Sequence, residues 1–140
     1  MVLDMFKLDG KVAIVTGANT GLGQGMCIGL AEAGARVVGV ARRSCDETAA
    51  KIKEFGGEFT PVIADLSSTE VIDDIIAQAL KAYGRIDILV NNAGIIKRED
   101  AINYTMDDWD AVYAVNQKEV FFLSQAVARQ IGRASCRERV

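Results

Sequence analysis

Short apolar runs alternate along this chain with longer stretches whose apolar residues recur at helical spacing. Lys11–Thr16, built on Val12-Ala13-Ile14-Val15, reads as a first strand, and Leu22–Ala33, rich in Ala, Gly and Leu, as a helix that Gly34 ends. Arg36–Ala41, with β-branched Val37, Val38 and Val40, is a second strand. Glu47–Phe55 is a helix closed by Gly56-Gly57. Phe59–Ala64 is a third strand, and Pro61 within it points to a sheet edge, because proline has no N–H to give a neighbour. Ser67-Ser68-Thr69-Glu70 has the form of a capping box opening a helix through Tyr83, with Ile72, Ile75, Ile76 and Ala79 at helical spacing. Gly84 stops it, and Ile86–Val90 is a fourth strand. Thr105, three residues before Asp108, caps a last long helix carrying Trp109, Val112, Val115, Phe122 and Val127.

This alternation predicts an α/β fold, a doubly wound parallel sheet with right-handed crossovers and helices on both faces. Nearly continuous apolar strands agree, since a covered parallel sheet is buried on both sides. The order expected is βαβαβαβα, with strands arranged 3-2-1-4. From Gly132 to Val140 the pattern breaks into Gly-Arg-Ala-Ser-Cys-Arg-Glu-Arg-Val, polar and cationic, with no strand after the last helix. Residues 1–131 therefore read as the N-terminal part of a domain and 132–140 as an aberrant tail. The sheet is expected to be incomplete, with its fourth strand an open edge, and the chain looks cut short.

Composition narrows the partners. The chain has 140 residues, half of them apolar and a quarter charged, which suits one globular domain. A net charge of −3 gives no electrostatic case for nucleic acid or an anionic membrane surface. The three cysteines, Cys27, Cys45 and Cys136, are widely spaced, which speaks against a disulfide framework or zinc site and for a reducing cytoplasm. Histidine is absent, removing the usual metal ligand and the usual base near neutral pH. No stretch is long and apolar enough to span a membrane.

Candidate chemistry begins where the first strand meets the first helix. Thr16-Gly17-Ala18-Asn19-Thr20-Gly21-Leu22-Gly23 puts glycines in a tight turn that feeds a helix N-terminus. There free N–H groups and the positive dipole end make a seat for a diphosphate. The alternative is a glycine-rich turn with no ligand. The spacing is Gly-x-x-x-Gly-x-Gly, and no Gly-Lys-Ser/Thr follows, which disfavours a nucleoside-triphosphate loop. Asn91-Asn92-Ala93-Gly94 stands at the end of the fourth strand, beside the first, where ligands bind in open α/β sheets. Asn side chains can tie strand ends together, and Ala93 and Gly94 leave room for a cofactor. A polar turn is the plainer reading. Asp65 either accepts a hydrogen bond from an adenine amino group, with Leu66 lining the ring, or caps the next helix. Asn116 either holds a water at a helical irregularity or is a tolerated surface residue. After Ala41 come Arg42 and Arg43, with no acid before Asp46. An arginine there suits a 2′-phosphate and leans to NADP, an acid would favour NAD, and two solvated arginines are the alternative.

Together Thr16-Gly17-x-x-x-Gly21-x-Gly23, Asp65, Asn91-Asn92-Ala93-Gly94 and Asn116 resemble the short-chain dehydrogenases/reductases over about residues 5 to 130. Thr20–Met26 and Ile95–Ala101 are similar to members that act on sugar acids. The resemblance implies a Rossmann fold binding NAD or NADP through Thr16, Gly17, Asn19, Thr20, Gly21, Leu22, Gly23, Arg42, Asp65, Leu66, Asn92, Ala93 and Gly94. It implies hydride exchange with a secondary alcohol or ketone of a small sugar acid, and a homo-oligomeric parent assembled through the helix near Thr105. In the family a tyrosine, a lysine four residues on, a serine and an asparagine carry the reaction. Only the asparagine maps, onto Asn116. Tyr83, Tyr104 and Tyr113 lack a Lys four residues later, and Ser135 lies in the aberrant tail. Lys97, Arg98, Glu99 and Asp100 follow on the substrate side, where Arg98 either meets a carboxylate or is solvated. The expectation is an N-terminal portion that does not turn over by itself. The alternatives are a non-catalytic dinucleotide-binding module and a non-functional truncated product.

Overall fold

A computed structural model describes the backbone of residues 1–138 and the side chains of residues 1–131. Nine segments make the frame: β1 (Val12–Thr16), α1 (Gly21–Glu32), β2 (Arg36–Ala41), α2 (Asp46–Glu54), β3 (Phe59–Ile63), α3 (Ile72–Tyr83), β4 (Ile88–Val90), α4 (Met106–Tyr113) and α5 (Glu119–Glu138). The four strands run parallel in the order β3-β2-β1-β4, as the alternation of the sequence predicts. Register aligns Ala13 with Val37 on one side and with Ile88 on the other. Pro61 sits on edge strand β3 opposite Gly39, where its missing N–H leaves no ladder bond unmade.

Strand alternation divides the core between the two faces. Val12 and Ile14 of β1 and Val38 and Val40 of β2 pack with Ile75, Ile76 and Ala79 of α3 and Leu123 and Val127 of α5. Val15 and Val37 face the other way, onto Cys27 and Ala31 of α1 and Cys45 and Ile52 beside or within α2. Helices therefore cover both faces. Cys27 and Cys45 are buried free thiols, and burial pushes the Cys27 thiol up to about 12. No helix among the described residues is long and apolar enough to cross a membrane.

Local chemistry explains the boundaries. Gly84, left-handed at φ 75°, closes α3 through its N–H to the Leu80 carbonyl at 2.8 Å. Thr105 caps α4 as expected, its hydroxyl accepting from the Asp108 N–H at 3.1 Å. Asp87 anchors the entry to β4. Burial opposes its ionisation, but the two-pronged Arg85 guanidinium, at 2.7 and 2.9 Å, and the Val12 N–H, at 2.9 Å, hold its pKa below the ordinary value.

Three expectations are corrected. The Ser67–Glu70 segment does not open an α-helix directly. Ser68 accepts from the Glu70 N–H at 3.3 Å and caps a 3-10 turn, Thr69–Val71, from which α3 then grows. The fourth strand begins at Ile88 rather than Ile86, which is buried but precedes the ladder. The last helix is not continuous, for a π-helical turn, Ala114–Lys118, separates α4 from α5. That insertion turns the buried face to Val115, Glu119, Leu123 and Val127 and leaves Trp109 and Phe122 exposed. Past Gly132 the backbone stays helical to Glu138; the side chains of Ser135 and Cys136 lie outside the described residues.

Candidate functional site

The C-terminal ends of all the strands open on one edge, and the loops leaving them are stitched together by side chains of β1 and β4. Thr16, almost fully buried, accepts on its hydroxyl from the backbone N–H groups of Asn92 at 3.1 Å and Ala93 at 2.9 Å. Asn92 returns the contact, donating from Nδ2 to the carbonyls of Thr16 at 3.0 Å and Gly17 at 3.4 Å. Asn91 donates to the Ser124 hydroxyl at 3.0 Å and so ties the same loop to α5.

Glycine is required where these loops touch. Gly17 has φ +68°, and a Cβ there would stand 2.8 Å from Asn92 Nδ2 and 3.2 Å from Ala93 Cα. A Cβ on Gly23 would overlap the Gly17 carbonyl oxygen and reach Asn92 Nδ2 at 2.6 Å. The turn thus folds back upon itself, and backbone rather than side chain faces outward. Gly17 N–H and Ala18 N–H both donate to the Val40 carbonyl, at 2.8 and 3.2 Å, locking the turn onto β2.

Above this junction lies a cleft of about 720 Å³. Gly17, Asn19, Thr20, Leu22 and Gly23 wall it from the β1–α1 loop, and Arg42 and Arg43 from the end of β2. Asp65 and Leu66 wall it beyond β3, and Asn92, Ala93, Gly94 and Lys97 beyond β4. Of the residues named from sequence for cofactor, substrate or reaction, Thr16, Gly21, Asn91, Arg98 and Asn116 stand outside the wall. Thr16 works from beneath, as the knot between the loops.

The cations of the wall are Arg42, Arg43 and Lys97, against Asp65 as its acid. Lys97 is 3.9 Å from Asp108 on α4. The Asp65 carboxylate accepts from the Ser67 N–H at 2.9 Å; the Ser67 bonds first, and Arg42 to a smaller degree, hold its pKa below the usual carboxylate value. The bond to Ser67 makes a local turn and not a helix cap, since the cap of the helical segment that follows is Ser68. The glycine cradle and the cationic rim together suit an elongated ligand carrying phosphates.

Asn116 lies in the π-helical turn and joins it to the loop after β4. Its Oδ1 accepts from the Ile95 N–H and its Nδ2 donates to the Ile95 carbonyl, each at 2.8 Å. Each amide atom keeps one further hydrogen-bonding position. Asn116 also borders a second, more apolar hollow of about 840 Å³ that holds Tyr104, Trp109 and Tyr113.

Two features escape sequence reasoning. Glu119 is 2% exposed, neither carboxylate oxygen has a hydrogen-bond partner among the described residues, and burial pushes its pKa up to about 7. Its signal was an acid at four-residue spacing between Val115 and Leu123. The second is a polar chain of Gln24, Thr48 and Lys51 behind the glycine loop, which carries no local signature.

Residues 11–137 match the family model of short chain dehydrogenases. The chain is 50% identical over 130 residues to a 2-dehydro-3-deoxy-D-gluconate 5-dehydrogenase of Dickeya dadantii, a match covering 93% of this chain and 51% of that one. It is 48% identical to the enzyme of the same name from Escherichia coli, over 92% of this chain and 51% of the other. The chain thus spans about half the length of the curated relatives it matches. Among solved structures, it superposes at a TM-score of 0.86 and 37% identity on a metagenomic short-chain oxidoreductase in complex with NADP, covering 91% of this chain and 59% of that one.

Proposed function

The chain belongs to the short-chain dehydrogenase family, and on that footing we propose that it forms the dinucleotide-binding portion of an NAD(P)-dependent oxidoreductase acting on a secondary alcohol or ketone of a sugar acid. The observation that carries the reading is the convergence of four strand-end loops on one cleft, over a glycine cradle that a Cβ on Gly17 or Gly23 would fill. Backbone N–H groups of the β1–α1 loop serve the diphosphate. Asp65 takes an adenine amino group, with Leu66 beside the ring. Arg42 takes a 2′-phosphate, which favours NADP over NAD. Ala93 and Gly94 make room further along the cleft, and Asn116 holds a water with the bonding positions that Ile95 leaves it. When bound, the nicotinamide supplies or accepts a hydride.

Sugar-acid specificity is supported by the names of the Dickeya and Escherichia relatives, and NADP by the metagenomic neighbour, which holds it. Exposed Trp109 and Phe121, 66% and 61% accessible, support assembly of the full-length enzyme through α4 and α5.

Proton transfer needs a group poised near neutral pH. Asp87, Asp108 and Gln117 stand where a lysine would have to follow Tyr83, Tyr104 and Tyr113. Tyr83 is also spoken for: burial raises its pKa, and its hydroxyl accepts from Thr60 at 3.0 Å. The 140-residue chain therefore binds cofactor but does not turn over alone. Fluorescence titration with NADPH and NADH tests this, with NADPH expected to bind more tightly and no ketone-dependent oxidation expected. Failure to bind either nucleotide, or measurable turnover, overturns the corresponding half of the reading.

A further inference from the structure

Outside the cleft wall, side chains of α1 and α2 form one hydrogen-bonded chain that ends on the glycine loop. Thr48 is fully buried, and its hydroxyl donates to the Ala18 carbonyl at 2.8 Å. Gln24 Nε2 donates to that hydroxyl at 3.1 Å and to the Asn19 carbonyl at 3.2 Å. Lys51 Nζ donates to Gln24 Oε1 at 2.9 Å and pairs with Glu47 at 2.8 Å.

Donor and acceptor chemistry permits one arrangement of this chain. Carbonyls only accept, so Thr48 gives its proton to Ala18 and must itself accept from Gln24. The Lys51 ammonium only donates, so it takes Gln24 Oε1 and fixes the orientation of the amide. The consequence falls on the loop. Every peptide here is trans, and in a trans peptide the C=O and the following N–H point in opposite directions. With the Ala18 carbonyl held by Thr48 of α2 and the Asn19 carbonyl by Gln24 of α1, the N–H groups of Asn19 and Thr20 are turned the other way, and both residues line the cleft.

We propose that Thr48 and Gln24 are positioning residues for the diphosphate of a dinucleotide, holding two loop carbonyls back so that the Asn19 and Thr20 N–H groups meet the anion. The proposal rests on the dinucleotide reading above. A carbonyl that swung into the cleft would repel phosphate oxygens as well as withdraw a donor, so release of the brace weakens binding twice over.

The test measures dissociation constants for the tighter-binding of NADPH and NADH, and for adenosine, which lacks the diphosphate, on the full chain. Thr48→Val keeps the side-chain shape and removes the hydroxyl; it is expected to weaken the dinucleotide about tenfold while adenosine changes less than about twofold. Thr48→Ser restores the hydroxyl and should bind as the wild type. If Thr48→Val does not fold, Gln24→Met carries the same comparison. An unchanged dinucleotide affinity, or equal loss for adenosine and dinucleotide, overturns the proposal. A wild-type chain that binds neither nucleotide is a different result; it sinks the cofactor reading itself, and the role of the brace falls with it.

Discussion

Glu119 stands in the apolar stripe between Val115 and Leu123 with no hydrogen-bond partner for its carboxylate among the described residues. Burial alone raises its pKa from 4.5 to about 7, so the fold prefers the protonated acid. The contribution to stability is greatest below the unfolded value of 4.5 and is lost as pH rises to about 7. Above that, the ionised side chain costs the fold on the order of 3 kcal/mol. Glu119→Gln should remove this dependence, so that urea unfolding shows the variant gaining on the wild type between pH 5 and pH 8. A constant difference across that range would refute the buried acid. Gly23 poses a steric question instead. Gly23→Val forces its new atoms into the Gly17 carbonyl and Asn92, so dinucleotide affinity should fall at least about tenfold, at a stability cost of roughly 1–3 kcal/mol. Titration and thermal melts on the same sample separate the two losses. The glycine was legible in the sequence because its spacing and strand-turn-helix setting are local. Glu119 was not, because the π-helical turn shifts which side of the helix meets the sheet.

At the level of elements, strands were the easiest to read, since a sheet covered on both faces demands unbroken apolar runs. Helix ends marked by one residue, such as Thr105 and Gly84, were equally plain. The break between α4 and α5 was legible only as an irregularity at Asn116, for the partner it bonds lies outside the helix. Asn116 gives both amide atoms to Ile95, and this bond to a distant loop accompanies a wider turn within an otherwise regular run. Asn116→Leu deletes both bonds and should destabilise the chain by about 1–2 kcal/mol in denaturant unfolding. If the turn is held by this pair, exchange of the Ile95 amide should also quicken; an unchanged Ile95 amide would assign the turn to helix packing alone. The Ser67–Glu70 segment shows the opposite failure, a true capping signal that opened a 3-10 turn because Ser68 reached Glu70 rather than the residue beyond.

For the molecule as a whole, the two hydrophobic clusters share one sheet, and the cleft crosses its edge. A ligand spanning the loops after β1, β2, β3 and β4 would couple all of them to the native state. NADPH at a hundred times its dissociation constant should therefore stabilise the chain by about 2.7 kcal/mol and raise Tm by several degrees. The same concentration should stabilise Gly23→Val by at most about 1.4 kcal/mol, roughly half as much. A chain whose Tm ignores both nucleotides would contradict cofactor binding across that edge.

The order of strands and helices, the glycine turn and the residues beside it were determined by the sequence alone. Periodicity, capping and positive φ act over a few neighbouring residues and are written where they act. Tertiary structure decided the rest: that Thr16 is a knot beneath the cleft rather than part of its wall, that Gln24 and Thr48 bond the loop carbonyls, and that Glu119 is buried without a partner among the described residues. Each depends on groups far apart in the chain, as in the bond between Ala93 and Thr16, 77 residues distant. Such partners acquire meaning only once the sheet has brought the strand ends together and excluded the water that would otherwise satisfy them.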